Sequence, residues 1–524
     1  MGRSAVLLLV VVLAIVAGCA SPPRSEVPPA PAPSAAPTMV DDLRRDLFAF
    51  ADDSMLGRSA ETPNAARAAR FIAAKLQAAG VAPAGDSGGY LQRVPLSRTF
   101  VRSAQFTVTS PAGRTSLPFG SHLIPVPSLG EGLPLPVLEA TGTLVFAGYG
   151  ISMPGYGRND LAGLSLADKV VVFVNDAPPG LDSAHRVSLR DPRSLGDRLG
   201  AIMERRPAAI IVLFTGRQAN ELPALAAGLT DSSLRLQPAL DGPRVLPMVL
   251  FGSTKDAAAL LPVGWPSNDR SRPLTGRSFA GKVDLVQDGI ATYNVVAVIP
   301  GSDSSLAHTY VAFGAHLDHI GIQPPEHGDS IANGADDDGS GSMSLVEMAR
   351  RAQREPHPKR SLLFVWHTGE ELGLFGSEWF TSHPTVPLDS IVAQLNVDMI
   401  GRNDPDSLYL IGPRSAPNGQ SSVLGAIVDS VNSASSRPFL INREWDAPSH
   451  PEQLYYRSDH YNYAKHGIPI VFFTTGLHAD YHKVTDSPDK IDYDKMSRVA
   501  TLILRIGTAL ANSPTRPLPA ALLR

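Results

Sequence analysis

The chain changes texture several times along its length. An unbroken apolar run, Ala5–Ala17, is followed by Gly18-Cys19 and then by a Pro/Ala/Ser stretch through Thr38. Thirteen apolar residues fall short of the roughly 20 that cross a bilayer, but they suit the apolar region of an export signal. Thr62-Pro63 followed by Asn64–Ala79 and Gly80 reads as a capped helix whose apolar stripe is Phe71, Ile72 and Leu76. From about Gly130 to Gly281 the pattern becomes short strands with Gly/Pro turns: Gly142–Ala147, Lys169–Asn175, Ala208–Phe214 and Val245–Phe251, with one helix at Leu195–Glu204. After Tyr293 apolar strands alternate with amphipathic helices, the sign of an α/β sheet. The strands expected there are Asn294–Ile299, Thr309–Ala315, Ser361–Trp366, Ile391–Val397 and Ile468–Phe473. The expected helices are Ser340–Gln353, Glu452–His466 and Asp494–Asn512.

This pattern predicts an α/β fold with a mixed, mostly parallel central sheet flanked by helices, carrying a smaller inserted β-rich α+β domain. The expected organisation is a signal at 1–18, a linker at 19–40, one main domain formed by 41–129 and 282–515, the insertion at 130–281 and a tail at 516–524. Composition changes the picture in three ways. A length of 524 residues exceeds a typical domain of roughly 100–200, which supports two. A net charge of −4 argues against a nucleic-acid partner. A single cysteine excludes an intramolecular disulfide framework and any thiolate metal cluster, so a bound metal would need His and carboxylates.

The candidate chemistry sits late in the chain, with twelve of fourteen histidines beyond residue 300. Thr309–Ala315 ends in His316-Leu317-Asp318-His319, Ser361–Trp366 runs into His367-Thr368-Gly369-Glu370-Glu371, and Ile391–Val397 ends at Asp398. Ile468–Phe473 leads, one loop later, to Tyr481-His482. Ligands of open α/β sheets bind at the carboxyl ends of strands, so four such ends can converge on one spot. The run Asp336-Asp337-Asp338 repels itself unless a cation turns repulsion into attraction. Its spacing does not fit an EF-hand, and Ser340 lacks a nucleophile elbow. Ser458-Asp459-His460, being consecutive, cannot build a nucleophile relay. His319, His367, His383, His460, His466 and His478 default to loop or supporting roles. Arg402 is read equally as a substrate contact or a structural ion pair.

Three resemblances follow from these residues. Cys19 after Val16-Ala17-Gly18 resembles the lipobox of bacterial lipoproteins, which implies export and a lipid anchor through Cys19, on the periplasmic face of the outer membrane. Val145–Gly150 and Leu166–Val172 resemble the protease-associated domain inserted in some exopeptidases. Ala315–Asp318, Gly334–Gly341, Gly369–Gly373, Asn396–Arg402 and Tyr481-His482 with Asp486 resemble, in order and over roughly 170 residues, the co-catalytic di-zinc aminopeptidases. That likeness implies two Zn2+ ions held by His316, Asp337, Glu371, Asp398 and His482, with Asp337 bridging and its bond to Asp338 cis. It also implies Glu370 as general base, Asp318 orienting His316, and Tyr481 polarising the scissile carbonyl. The implied substrates are peptides with a free N-terminus.

Elementary chemistry agrees with this division of labour. Three ligand carboxylates leave +1 against two divalent ions, which a bridging hydroxide neutralises. Metal binding lowers the pKa of water from 15.7 to about 7. The oxygen-rich donor set also accepts Mn2+ or Co2+. Carboxypeptidases and glutaminyl cyclases share the fold and form the rival activity; a non-catalytic surface binding protein is the rival of another class.

Overall fold

The computed structural model describes residues 38–126, 137–152, 158–190, 192–231, 233–236, 247–412, 422–447 and 449–517. The expected export signal, Cys19, nearly all of the linker and most of the C-terminal tail lie outside the described residues.

Two helices, α1 (Met39–Phe50) and α2 (Pro63–Ala78), come first. Helix α2 begins as its sequence predicts: the Thr62 hydroxyl accepts the Asn64 N–H and Pro63 occupies the first turn, where no N–H is needed. The principal strands are β1 (Leu91–Ser110), β2 (Leu123–Pro125), β3 (Val137–Phe146), β4 (Val170–Asn175), β5 (Ala209–Phe214), β6 (Met248–Ser253) and β7 (Arg272–Ile299). They continue as β8 (Tyr310–His316), β9 (Ser361–His367), β10 (Ile391–Val397), β11 (Ser407–Ile411), β12 (Leu440–Asn442) and β13 (Ile470–Thr474). Among the described residues they belong to one sheet in the order β12-β11-β13-β10-β8-β9-β7-β3-β4-β5-β6-β2, with β1 pairing along β7.

The strands that carry the candidate residues are parallel. His316 on β8 is level with His367 on β9, Gly314 with Asn396 on β10, and Val397 with Phe473 on β13. Their carboxyl ends therefore open on the same edge of the sheet. Period-two alternation gives the sheet two apolar faces. Phe313 and Phe364 face a core built with Leu43, Ile72, Leu345 and Ile503, whereas Ala312 and Leu363 face Phe380 and Tyr463. Helices α3 (Gly341–Arg354) and α4 (Tyr493–Asn512) cover the first face. Gly507 allows α4 this approach, because a Cβ there would come within 2.1 Å of the Phe313 ring.

One expected helix needs revision. Glu452–His466 is not one helix: Gln453 has φ +46°, which ends any helical run, so Leu454–Tyr456 form a separate turn and only His460–Lys465 are helical. The residue 281/282 boundary falls inside the 28-residue strand β7. The middle part's core also takes in Val101, Phe106 and Val108 before residue 130, and Val283 and Leu285 after residue 281, so it extends past both boundaries expected from composition.

The N-terminal segment holds one charged residue that organises the site. Arg58 has no solvent exposure, and its guanidinium donates to four main-chain carbonyls: Leu317 (3.0 Å), Phe50 (3.3 Å), Asn333 (2.5 Å) and Gly334 (2.8 Å). It thereby ties the end of β8 to the loop that carries the aspartate run. Burial lowers its pKa to about 10, against the pull of the Asp486, Asp318 and Asp337 carboxylates, so the charge persists at neutral pH. Arg58→Leu strands these carbonyls and is expected to cost about 3–5 kcal/mol, read as a lowered urea midpoint at unchanged slope, with Arg58→Lys between the two.

Candidate metal centre

The site is assembled from strand ends and the turn between β8 and α3. Gly334 opens that turn with φ +56°, and a Cβ there would lie 2.3 Å from the Asp337 carbonyl and 2.5 Å from the His319 ring. Only glycine lets the turn fold back this tightly. The three adjacent aspartates then take different work. Asp338 accepts main-chain N–H groups from His316 (3.1 Å), Gly341 (2.9 Å) and Met399 (3.2 Å), pinning β8, the start of α3 and the segment after β10 together. Asp336 accepts the Gly401 N–H at 2.6 Å and faces His478 Nε2 at 3.2 Å. Asp486 accepts the N–H groups of Asp336 and Asp337. Asp337 is left to point inward, and its bond to Asp338 is cis, as the resemblance implied.

The two oxygens of Asp337 face different partners. Oδ1 lies 3.2 Å from His316 Nε2, which is also 3.5 Å from Asp398 Oδ1. Oδ2 lies 3.1 Å from His482 Nε2, which is 2.9 Å from Glu371 Oε2. All five residues named as ligands by the family likeness thus come together. Two groups of three could each hold a cation: His316, Asp337 and Asp398, and then His319, Asp337 and Glu371. The second group includes His319, which the sequence left as a bystander. Its only advance signal was its place one residue after Asp318, on the same strand-end loop.

The donor chemistry fits bound cations. Asp337 Oδ2 and Asp398 Oδ1 are buried oxygens that face only His482 at 3.1 Å and His316 at 3.5 Å, without an aligned hydrogen bond, a costly arrangement for carboxylates unless something positive completes it. Ligands about 2.1 Å from a tetrahedral ion sit roughly 3.4 Å apart, close to the 3.2 and 3.5 Å around His316. Electrostatics show the same demand. Burial alone would lower the His482 pKa, but the Asp337 and Glu371 carboxylates drive it up to about 10. Burial opposes the ionised form of Asp337 too, yet His316 and His482 hold it well below the usual carboxylate range. Protons on these histidines occupy the role that cations would take, so cation binding must expel them.

The remaining residues fall into place around this pair. His316 Nδ1 meets the main-chain carbonyl of Asp318 at 3.2 Å, while the Asp318 carboxylate is 4.0 Å away and accepts the Glu370 N–H at 3.2 Å. Asp318, expected to orient His316, thus meets its Nδ1 most closely through the main chain. Burial raises the Asp318 pKa to about 7. Glu370 lines the same cavity as His316, Asp337, Glu371 and Asp398. Burial, with Glu371 and Asp398 nearby, pushes its carboxyl well above the usual range. Tyr481 stacks on His482 with ring centroids 3.8 Å apart. Ser458 donates to Asp398 Oδ2 at 2.8 Å and accepts from Asn396 at 2.9 Å. Asp459 faces His367 at 3.3 Å, so this seryl-aspartyl-histidyl stretch supports the site and builds no nucleophile. Arg402 pairs with Asp480 at 2.7 Å, the structural alternative of the two readings.

Beyond the carboxylates the cavity is walled by Met399, Trp445, Leu454, Phe472 and Leu477, with Arg457 among its lining residues.

Part of the chain is similar in sequence to known aminopeptidases. Over 252 residues the chain is 29% identical to a probable leucine aminopeptidase of Trichophyton verrucosum (strain HKI 0517), covering 46% of this chain and 64% of that protein. It is 29% identical over 246 residues to leucine aminopeptidase 1 of Arthroderma otae (strain ATCC MYA-4605 / CBS 113480), covering 44% and 62%. The match therefore spans less than two thirds of the length of these relatives. In fold the chain is similar to an aminopeptidase from Aneurinibacillus sp. strain AM-1, with a TM-score of 0.50 and 18% identity over 92% of this chain and 95% of that one. Residues 294–507 match the model of peptidase family M28, a segment that contains every residue of the centre from His316 to His482.

Proposed function

We propose that the chain is a zinc-dependent aminopeptidase that removes N-terminal residues from peptides, with two ions that His316, Asp337, Glu371, Asp398 and His482 would hold. The observation that carries this reading is the division of Asp337, one oxygen towards His316 and Asp398 and the other towards His482 and Glu371. When bound, the ions draw charge from the attacked carbonyl and make water acidic enough to act near neutral pH. The residues do the rest. Glu370, raised in pKa and lining the cavity beside the ligand carboxylates, takes the proton of the attacking water and returns it to the leaving amine. Tyr481, whose phenol burial keeps protonated, donates its O–H to the oxygen on which charge develops. The wall of Met399, Leu454, Phe472 and Leu477 suits an apolar first side chain. The relatives described as leucine aminopeptidases support this reading.

The same proposal covers the flanking parts of the chain. The apolar run ending at Gly18-Cys19 supports export and attachment to a bacterial envelope membrane through a lipid on Cys19. The strand-rich middle part serves as the protease-associated module.

Three outcomes are expected. Asp337→Asn loses both zinc ions on equilibrium dialysis with atomic absorption, whereas Asp398→Asn keeps one. Glu370→Gln retains both ions while hydrolysis of leucyl anilides falls by about 10²–10⁴-fold; unchanged turnover removes Glu370 from its role. The unaltered enzyme cleaves a free-amino leucyl anilide far faster than its N-acetylated form, and the reverse preference favours the carboxypeptidase or cyclase alternatives.

A further inference from the structure

His319 lies on the loop after β8, is 1% exposed, and takes no part in the ligand set that the sequence suggested. Its Nδ1 stands 2.7 Å from Glu371 Oε1 and 3.8 Å from Asp337 Oδ2, and its ring packs edge-on to that of His482 with centroids 5.8 Å apart. The 2.7 Å separation is a hydrogen bond, made to the oxygen of Glu371 that faces away from His482. A carboxylate oxygen can only accept, so Nδ1 carries the hydrogen and donates it. Glu371 is thereby divided as Asp337 is: Oε1 is held by His319, and Oε2 faces His482 Nε2 at 2.9 Å. The tight turn at Gly334 presses the imidazole into this place, because any side chain there would collide with its ring.

We propose that His319 is a positioning residue for the second cation: its Nδ1–H fixes Glu371 as a single-oxygen ligand through Oε2, without itself binding the ion. This rests on the two-cation reading above. A carboxylate free to rotate would offer either oxygen or both, and would pay ordering entropy when it binds. Hydrogen bonds of this kind, from a residue behind the ligand, typically change metal affinity by about 10–100-fold.

The test is a stepwise Co2+ titration of the metal-stripped full chain, followed by visible absorption, for the unaltered protein, His319→Phe and His319→Asn. The Asn amide can supply an N–H near the position of Nδ1, but its nitrogen does not coordinate. In His319→Phe the second ion is expected to bind about 10–100-fold more weakly, with the first unchanged; in His319→Asn most of that affinity returns and the spectrum matches that of the unaltered chain. Affinity for the first ion reports within the same molecule whether a variant has folded. If both variants lose the second ion and the Co2+ spectrum of His319→Asn is shifted, His319 is a ligand and the proposal fails. Unaltered second-ion affinity in His319→Phe overturns it as well. If the unaltered chain does not bind two ions, the functional reading fails with it, a result visible before any substitution is made.

Discussion

Carboxylates buried side by side need positive charge, and that requirement shapes everything around the centre. Asp337, Glu371 and Asp398 are withdrawn from water within a few ångströms of one another, where their mutual repulsion is only weakly screened. The fold supplies partial answers with His316, His482 and the buried Arg58, and leaves selected oxygens unpaired. A site of this kind is held together from outside. The main-chain N–H groups taken by Asp338, and the carbonyls taken by Arg58, bear the load that the repelling side chains cannot.

The parallel strands explain why the groups meet at all. In each of β8, β9 and β10 the apolar residues end where the core ends, and the next polar side chain emerges into the same crevice. The sheet register brings these exits level, so residues as far apart in the chain as Asp337 and His482 become neighbours. Among the described residues the middle part adds no side chain to the two candidate cation groups, and its apolar clusters are separate from the one around the centre.

Much of this was legible in the sequence, for physical reasons. Buried parallel strands leave continuous apolar runs, which is why Ile391–Val397 was placed to the residue and β8 and β9 to within one. The strand-end places of His316, Glu370, Glu371 and Asp398 were readable because polar side chains interrupt such runs at their ends, while the choice of ligands among them came from the family likeness. Other features were hidden. Arg58 looks like any surface arginine, since its partners are main-chain carbonyls that leave no mark on sequence. The strand β1 was missed because its long partner, β7, lies nearly two hundred residues away, and β-structure is set by its neighbours. His319 was passed over because a histidine's role depends on which oxygen it meets. The helix expected over Glu452–His466 failed at Gln453, where the left-handed backbone overrides helical composition.

The unbroken run of β7 has a mechanical meaning for the two halves of the molecule. Its first residues pair with β3 and its last with β9, while β1 accompanies it along most of its length. No hinge peptide separates the middle part from the strands that carry the centre along this ladder. The two should therefore melt as a single cooperative block, and a genetic excision at residue 281 would sever a beam rather than unplug a module.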